Sequence, residues 1–209
     1  MFGGGALTFH EFAMHEPLPL AVLHEAALEF LRSRDDVVLF GAHAVNAYVG
    51  EPRMTQDLDV LSTCAELLAQ ALSEHLHQRF RIAVRTRRAT EGRGLRLFQV
   101  RRAGNRHLVD IRPVDTLPPA QRMAGILVLA PADLIASKVL AYCGRRGQPK
   151  SGTDWRDLAM LLLQFPELKR DPGPVTDRLA AVAAPAPALA AWRELVTQGI
   201  RPPQEDDDY

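Results

Sequence analysis

The stretch from Val37 to Phe40 constrains the fold most, because it is a run of four apolar residues bounded by two aspartates and by Gly41. A short, fully apolar run between turn residues is typical of a strand buried on both faces. The small residues that follow predict a helix over residues 42–48. Gly41 would then end a strand and begin a helix, where the free N–H groups of Ala42 and His43 are suited to bind phosphate. A plain turn at Gly41 is the alternative.

Two acids, Asp57 and Asp59, lie two residues apart in the next predicted strand, residues 57–61. In a strand both side chains leave the same face, with Cβ atoms roughly 6 to 7 Å apart, while Leu58 and Val60 pack on the other face. Two bare carboxylates at that distance repel each other by about 2 to 3 kcal/mol at an effective dielectric constant near 20. A divalent cation such as Mg²⁺ would relieve this repulsion. The alternative is a strand end whose acids simply face water.

The rest of the chain predicts blocks of helix and strand. Turn signals at 91–94 and 104–105 separate three strand candidates and favour antiparallel neighbours. We expect helices over 19–32, 64–78, 132–143 and 154–164, strands over 80–87, 95–102 and 107–113, a proline-containing connection over 116–121 and a short apolar run at 126–129. This pattern predicts an N-terminal helical segment (1–36), a core of sheet and helices (37–125), a C-terminal helical part (126–200) and an acidic tail (201–209).

Composition excludes several classes of protein. With 209 residues, 47% of them hydrophobic and 24% charged, the chain can bury a real core, which excludes wholesale disorder. Lysine plus arginine (25) equals aspartate plus glutamate (25), which argues against a surface that is basic throughout. Cys64 and Cys143 are too few for a disulfide framework and indicate buried thiols in a reducing compartment. No segment has the pattern of a secretory signal or a membrane span, so we expect a cytoplasmic protein.

The segment FGAHAVNAYVGEPRMTQDLDVL resembles the signature of the AbiEii-like nucleotidyltransferases, a branch of the DNA-polymerase-β-type superfamily. In that signature a glycine turn precedes Arg, Thr and then Asp-x-Asp, and the spacing here favours the toxin-type branch. The resemblance implies an α+β fold, a mixed β-sheet with flanking helices of the polymerase-β-like nucleotidyltransferase type, plus a C-terminal helical part. It implies metal binding by the two acids, and contacts to the nucleotide phosphates from Gly41, Ala42, His43, Arg53 and Thr55.

The superfamily also requires a third carboxylate on a later strand. Asp110, in the segment HLVDIRP, is the only acidic residue inside the predicted strands between residues 80 and 113, and Val109 and Ile111 flank it. By resemblance Asp110 completes the metal site or acts as general base on the acceptor hydroxyl. An ion pair with Arg112 or a neighbouring arginine is the alternative.

Lys138 lies at the centre of the apolar face of the helix predicted over 132–143, close to Leu134 and Ile135 at helical spacing. A desolvated, unpaired ammonium group is costly, so this side chain should meet an anion. The alternative is that its long stem carries the charge to the surface.

The segment VLAPADLIASKVLAYCGRRGQPKSGTDWRDLAMLL resembles the second half of the same family. On that resemblance Lys138 contacts the triphosphate, Asp154 orients the triphosphate or the nucleotide, and Asp157 supports the helix pair. A purely local alternative exists for this stretch, with Thr153 as the N-cap of a helix and Asp154 favoured in its first turn by the helix dipole.

Eleven arginines lie between Arg79 and Arg112, against two acids in the same stretch. We expect Arg79, Arg81, Arg85 and Arg87 to share one strand face. A basic face of this kind is either solvated or forms a surface for RNA or a polyphosphate, whose affinity would fall steeply with salt. The histidines His75 and His77 are two apart on a predicted helix and are expected to be surface or core residues.

The resemblance implies a nucleotidyltransferase that moves a nucleoside monophosphate from an NTP to an acceptor hydroxyl, with Mg²⁺, or Mn²⁺, held by Asp57, Asp59 and Asp110. The basic face makes tRNA a candidate acceptor, and a protein is another candidate. The resemblance makes the protein a candidate toxin of a toxin–antitoxin pair, with a cognate antitoxin as its partner. Two alternatives stay open, namely a small-molecule nucleotidyltransferase of the aminoglycoside-modifying kind, and a non-catalytic nucleotide- or partner-binding module on the same fold.

Overall fold

The computed structural model of the protein describes residues 18–89 and 94–202. Residues 1–17, the centre of the turn predicted at 91–94 and most of the acidic tail predicted at 201–209 lie outside the described residues. The chain divides into two compact units, Met1–Leu129 and Ala130–Tyr209.

Within the described residues, the first unit consists of a sheet and three helices. The helices are α1 (Leu20–Leu31), α2 (Gly41–Tyr48) and α3 (Ala65–Phe80), and the strands are β1 (Val37–Phe40), β2 (Leu58–Ser62), β3 (Val84–Arg88), β4 (Leu95–Gln99), β5 (Arg106–Pro113), β6 (Ala120–Met123) and β7 (Ile126–Leu129). The strand order is β3-β4-β5-β2-β1-β7-β6. Strand β1 runs parallel to β7 and β2 runs parallel to β5, whereas the other neighbours are antiparallel.

Alternation of side chains gives the sheet one buried and one more open face around β2, β4 and β5. The side chains of Leu58, Val60, Leu97, Val109 and Ile111 are fully buried, while those between them, including Asp59, Arg96 and Asp110, are not. Helix α3 packs against β2 to β5 and against α1. The predicted acidic residues are therefore on the face that the apolar core leaves open.

Strand β1 has the bounds that the apolar run predicts, and all four of its residues are buried. It lies between β2 and β7 near the centre of the sheet, which explains why it needs no polar face. Helix α2 follows it directly at Gly41.

The prediction of a strand over residues 80–87 is wrong about where the strand begins. Helix α3 continues to Phe80, and Arg81 caps it in the left-handed conformation with φ +56°. The strand begins only at Val84. Arg79 and Arg81 therefore do not share a strand face with the arginines of β3, contrary to the sequence prediction.

The connection predicted over 116–121 extends into strand β6, which pairs with β7 in a hairpin. Its two loop residues, Ala124 and Gly125, both have positive φ values, of 47° and 85°. A two-residue loop of this kind matches the twist of the flanking strands. The run at 126–129, placed with the helical part from sequence, is thus a strand of the sheet.

The second unit is helical in its described residues, with α4 (Pro131–Gly144), α5 (Lys150–Gln164), a 3-10 turn (Pro166–Leu168), α6 (Pro174–Ala181) and α7 (Ala186–Thr197). Helix α4 packs against α5, α6 and α7. The predicted start of the second helix at residue 154 is wrong, because α5 begins at Lys150 after the helical Pro149, so Thr153 is not its N-cap. Proline suits a helix start because its φ is already helical.

A mixed sheet with flanking helices, followed by a helical unit, is the α+β class that the sequence predicts, and the prediction is confirmed. Cys64 and Cys143 are free thiols and are half-buried rather than buried. Among the described helices, none combines the length and the apolarity needed to cross a membrane.

Candidate active site

The pairing of β2 with β5 places two of the predicted acids side by side. Asp59 and Asp110 are register partners in these parallel strands, and Phe40 is the partner of Asp59 on β1. Register partners on adjacent strands project from the same face about 5 Å apart. Two acids separated by 51 positions in the sequence therefore meet on one face of the sheet.

Asp57 lies just before β2. The strand begins at Leu58, one residue after its predicted beginning at residue 57. The hydroxyl of Thr55 donates to the backbone carbonyl of Asp57 at 3.2 Å and lies 3.5 Å from its carboxylate. Oδ2 of Asp57 lies 3.8 Å from Nδ1 of His107. Asp57 is thus held at the same edge of the sheet as the other two acids by the residues around it.

His107 joins the acids because β5 contains a bulge. Leu97 on β4 pairs with Val109, but the next residue, Phe98, pairs with His107, so that Leu108 is an extra residue. His107 consequently lies on the face of Asp110, with Nε2 3.2 Å from its Oδ1. We call Asp57, Asp59, Asp110 and His107 the acidic centre.

Arg96 also contacts the acidic centre, across the strand from Asp110. It is the register partner of Asp110 on β4, and its Nε donates to Oδ1 of Asp110 at 3.0 Å. Burial raises the pKa of Asp110, but His107, Arg96 and Arg112 together outweigh burial and hold the pKa of this carboxyl below its ordinary value. The contact with Asp110 raises the pKa of His107. Asp110 is therefore ionised at neutral pH.

Gly41 lies directly against the carboxylate of Asp59. A Cβ atom at Gly41 would be 2.1 Å from Oδ2 of Asp59, and the φ of Gly41 is +69°, in the left-handed region. Only glycine fits both requirements, because any side chain would collide with the acid and would strain the backbone. The turn before α2 is therefore built around the Asp59 carboxylate.

The loop that carries Arg53 and Thr55 is fixed to helix α2. The Asn46 amide donates to the carbonyl of Arg53 at 2.7 Å and accepts from its backbone N–H at 3.0 Å. Phe40 precedes the helix and has no polar side chain, so the first N–H groups of α2 are not capped by a side chain. The residues predicted to contact phosphate thus lie on two segments joined by Asn46.

Two further histidines join helices α1 and α2 to the bulge of β5. Nε2 of His24 lies 3.2 Å from the carbonyl of Leu108, and its Nδ1 lies 3.3 Å from Nε2 of His43. Burial lowers the pKa of His24 to about 4, and burial with the neighbouring His24 lowers the pKa of His43 to about 3. Both rings are therefore neutral at pH 7, with His24 donating to Leu108 and accepting from His43.

The residues of the second unit form an ion-pair cluster of their own. Nζ of Lys138 donates to Oδ2 of Asp157 at 2.6 Å and lies 3.9 Å from Asp154, while Arg145 donates to Asp154 at 2.7 Å. The side chain of Lys138 is 9% exposed and that of Asp157 is fully buried. The anion that meets the Lys138 ammonium is thus Asp157, nineteen residues on in the next helix.

The basic stretch is more neutralised than its composition indicates. Arg79 pairs with Glu29, Arg88 with Glu66 and Arg96 with Asp110. Within the part of the chain that the structure describes, Arg85 and Arg87 on the exposed strand β3 face no carboxylate at ion-pair distance. His75 and His77 lie on α3 outside the acidic centre, as predicted.

The donor atoms of the acidic centre fit a divalent cation. Asp57, His107 and Asp110 each offer one ligand atom, and these atoms lie within 4.8 Å of one another. Ligands of one octahedral ion lie about 3 to 4 Å apart, because each is about 2.1 Å from the metal. Asp59 adds a third carboxylate from the same face. The residues present therefore suit a metal bound mainly through oxygen.

Sequence reasoning identified the three acids but missed His107, Arg96 and His24. His107 is three residues from Asp110, a spacing that places side chains on opposite faces of a regular strand. Only the bulge reverses this, and the segment from 106 to 110 contains no glycine that would indicate one. Arg96 and His24 come from other elements, and their sequence neighbourhoods carry no signal for this contact.

Comparisons with known proteins give a family and a fold for this chain. A family model described as nucleotidyl transferase AbiEii toxin, Type IV TA system, matches residues 25–186. Among solved structures, Megavirus polyadenylate synthase gives a TM-score of 0.57 at 16% identity, over 73% of this chain and 32% of that chain. JHP933 from Helicobacter pylori gives a TM-score of 0.52 at 15% identity, over 91% of this chain and 90% of that chain. These likenesses show the fold, and no curated protein matches the chain.

Proposed function

Because the chain belongs to the AbiEii nucleotidyltransferase family, we propose that it transfers a nucleoside monophosphate from an NTP to a hydroxyl group of tRNA and releases pyrophosphate, with a divalent cation, Mg²⁺ or Mn²⁺, bound at the acidic centre. The family is that of a toxin–antitoxin system, so a cognate antitoxin is the expected partner. The observation that carries the proposal is the juxtaposition of Asp59 and Asp110 beside the Gly41 turn. Each of these features has a role in phosphate chemistry.

The acids would hold the cation through oxygen atoms of Asp57, Asp59 and Asp110. When bound, the cation would lower the pKa of the acceptor hydroxyl and neutralise charge on the triphosphate. The pKa of Asp110 lies below its ordinary value, which makes this carboxylate a weak base. The lowered pKa of Asp110 therefore favours a role as metal ligand over a role as general base.

The triphosphate would lie at the beginning of helix α2. The N–H groups of Ala42 and His43 follow Gly41, and Arg53 and Thr55 lie on the loop fixed by Asn46. N–H groups at a helix start attract anions through both hydrogen bonding and the helix dipole. In the second unit, a phosphate contact by Lys138 and an orienting role of Asp154 stay predictions.

The acceptor assignment is supported by a row of charged residues across the sheet. Arg87 pairs with Arg96 on β4, Arg96 pairs with Asp110, and Asp110 pairs with Asp59. Register partners share a face, so two arginines extend from the acidic centre toward the edge strand β3. Such a row suits the phosphate backbone of an RNA whose hydroxyl reaches the acids.

The test is transfer of label from each of the four α-³²P NTPs to tRNA, to protein and to an aminoglycoside. We expect label on tRNA, with a loss of at least about 100-fold in the Asp59→Asn variant, because the cation then loses a ligand. The control is Asp115→Asn, which removes an exposed carboxylate in the loop after β5 and should leave transfer unchanged.

The other acceptors distinguish the alternatives. Label on the aminoglycoside alone would make the protein a small-molecule nucleotidyltransferase, and label on protein alone would replace tRNA as the acceptor. NTP binding without transfer to any acceptor would favour a non-catalytic module and contradict the proposal.

A further inference from the structure

A bulge in the backbone of β5 places His107 in the acidic centre, whereas the regular alternation of side chains along a strand would not. The bulge at Leu108 leaves both Leu108 and Val109 buried, so two successive side chains point into the core. His107 on one side of the bulge and Asp110 on the other therefore project from the same open face. An irregularity of this kind is typical of strands that redirect one side chain toward a functional site.

The ring of His107 is fixed between two acids and an aromatic side chain. Its two nitrogens face different acids, Nδ1 at 3.8 Å from Asp57 and Nε2 at 3.2 Å from Asp110. The ring of Phe98 lies 5.0 Å away, tilted by 31°. The imidazole therefore occupies a defined position between the carboxylates.

Nε2 of His107 has an unmet hydrogen-bonding requirement among the described residues. The atom is inaccessible to solvent, and its approach to Asp110 at 3.2 Å is close enough for an ion pair but not aligned as a hydrogen bond. Buried polar atoms usually have an aligned partner, and an exception at a functional site indicates an absent ion or ligand. Asp57, His107 and Asp110 each offer one ligand atom, and these three atoms lie within 4.8 Å of one another.

We infer that His107 is a nitrogen ligand of the divalent cation, and that the acidic centre therefore selects a first-row transition ion such as Mn²⁺ over Mg²⁺. The inference rests on the proposed function, since it concerns the cation that this function requires. Mg²⁺ is bound almost entirely through oxygen, whereas imidazole nitrogen increases affinity for transition ions. His107 is thus the residue that sets metal preference.

The test uses the full-length protein labelled with ¹⁵N-histidine and loaded with Mn²⁺. Pulsed electron paramagnetic resonance of bound Mn²⁺ should show coupling to a histidine nitrogen in the wild type and in His77→Gln, and none in His107→Gln. His77 is a matched control because it is an exposed histidine of α3 whose Nδ1 faces the carbonyl of Ile82.

Affinities give a second readout that does not require activity. Competition between Mn²⁺ and Mg²⁺ should show that His107→Gln loses at least about tenfold in Mn²⁺ affinity, while Mg²⁺ affinity stays within about threefold of the wild type. Mn²⁺ bound without nitrogen coupling, or an unchanged preference in His107→Gln, would overturn the inference. In that case Asp59-dependent transfer with Mg²⁺ would leave the proposed function in place. Failure of the wild type to bind either cation would contradict both.

Discussion

At the scale of single residues, Gly41 links the sequence most directly to the site. The residue is needed because the carboxylate of Asp59 occupies the place of its missing side chain, and because its φ is positive. Both reasons are local and physical. A substitution here acts on the acidic centre even though the glycine carries no functional group.

We expect Gly41→Ala to destabilise the protein by about 2 kcal/mol or more, because the new methyl group must displace Asp59 and adopt a left-handed φ. Urea denaturation followed by circular dichroism measures the change in the free energy of unfolding. Gly50→Ala is the matched control, since a Cβ at Gly50 meets nothing within 4 Å, and its effect should stay within about 0.5 kcal/mol. Equal effects of the two substitutions would contradict the role given to Gly41.

Lys138 illustrates how a buried charge is satisfied. Removal of one partner of a buried ion pair costs about 3 to 5 kcal/mol, because the other charge stays buried. We therefore expect Lys138→Met to lose stability on this scale and the double variant Lys138→Met with Asp157→Leu to recover most of the loss. Lys150→Met, at an exposed lysine, is the control. A double variant as unstable as the single one would show that the pair is not the source of the loss.

At the scale of the elements, the bulge of β5 is held by two helices. His24 on α1 donates to the carbonyl of Leu108, and His43 on α2 supports His24. The contact between the two rings requires Nδ1 of His24 to be unprotonated, because this atom accepts from Nε2 of His43. The position of His107 at the acidic centre therefore depends on histidines that do not belong to that centre.

This arrangement predicts a loss of stability in acid. The pKa of His24 is about 4 in the folded protein and near 6.5 when unfolded, so between these values the unfolded state binds more protons. Stability therefore falls as the pH decreases, by about 2 kcal/mol between pH 7 and pH 5 from His24 alone. In His24→Gln, whose amide can still donate to Leu108, this loss should shrink by that amount, whereas His77→Gln should behave as the wild type. Parallel unfolding curves at the two pH values measure the difference, and equal losses in all three proteins would disprove it.

At the scale of the whole molecule, the formal net charge is zero, so attraction of a polyanion such as RNA depends on local clusters of charge. Ion pairs neutralise several arginines of the basic stretch, whereas Arg85 and Arg87 are exposed on the edge strand, where Arg87 is the register partner of Arg96. The proposed contact of these residues with tRNA would be electrostatic and would therefore depend on salt.

We expect the double variant Arg85→Ala with Arg87→Ala to bind tRNA more weakly and to reduce the slope of log affinity against log salt by between about one and two. Fluorescence anisotropy at several salt concentrations measures this slope. Arg170→Ala with Arg201→Ala removes the same charge from exposed positions of the second unit and should leave the slope unchanged. If both pairs change the slope equally, the edge strand is not the contact surface.

Features that depend on a single strand or helix were predictable from the sequence. The apolar run of β1, the alternation around Asp59 and the apolar face of the helix with Lys138 were all readable, because periodicity reports which face of a single strand or helix is buried. The α+β class followed from the resemblance to the family, and the structure confirms it. The resemblance of two segments to a family then predicted which acids bind the metal.

Features that depend on packing and pairing between elements could be seen only in the folded protein. The tertiary structure gave Lys138 its partner Asp157, moved the beginnings of β3 and α5, and brought Arg96 and His24 to β5. The bulge that turns His107 toward Asp110 arises from pairing with β4, and pairing partners are not encoded in local periodicity. The acids of this centre were therefore predictable, whereas its nitrogen donor was not, because its face is set by the register of a neighbouring strand.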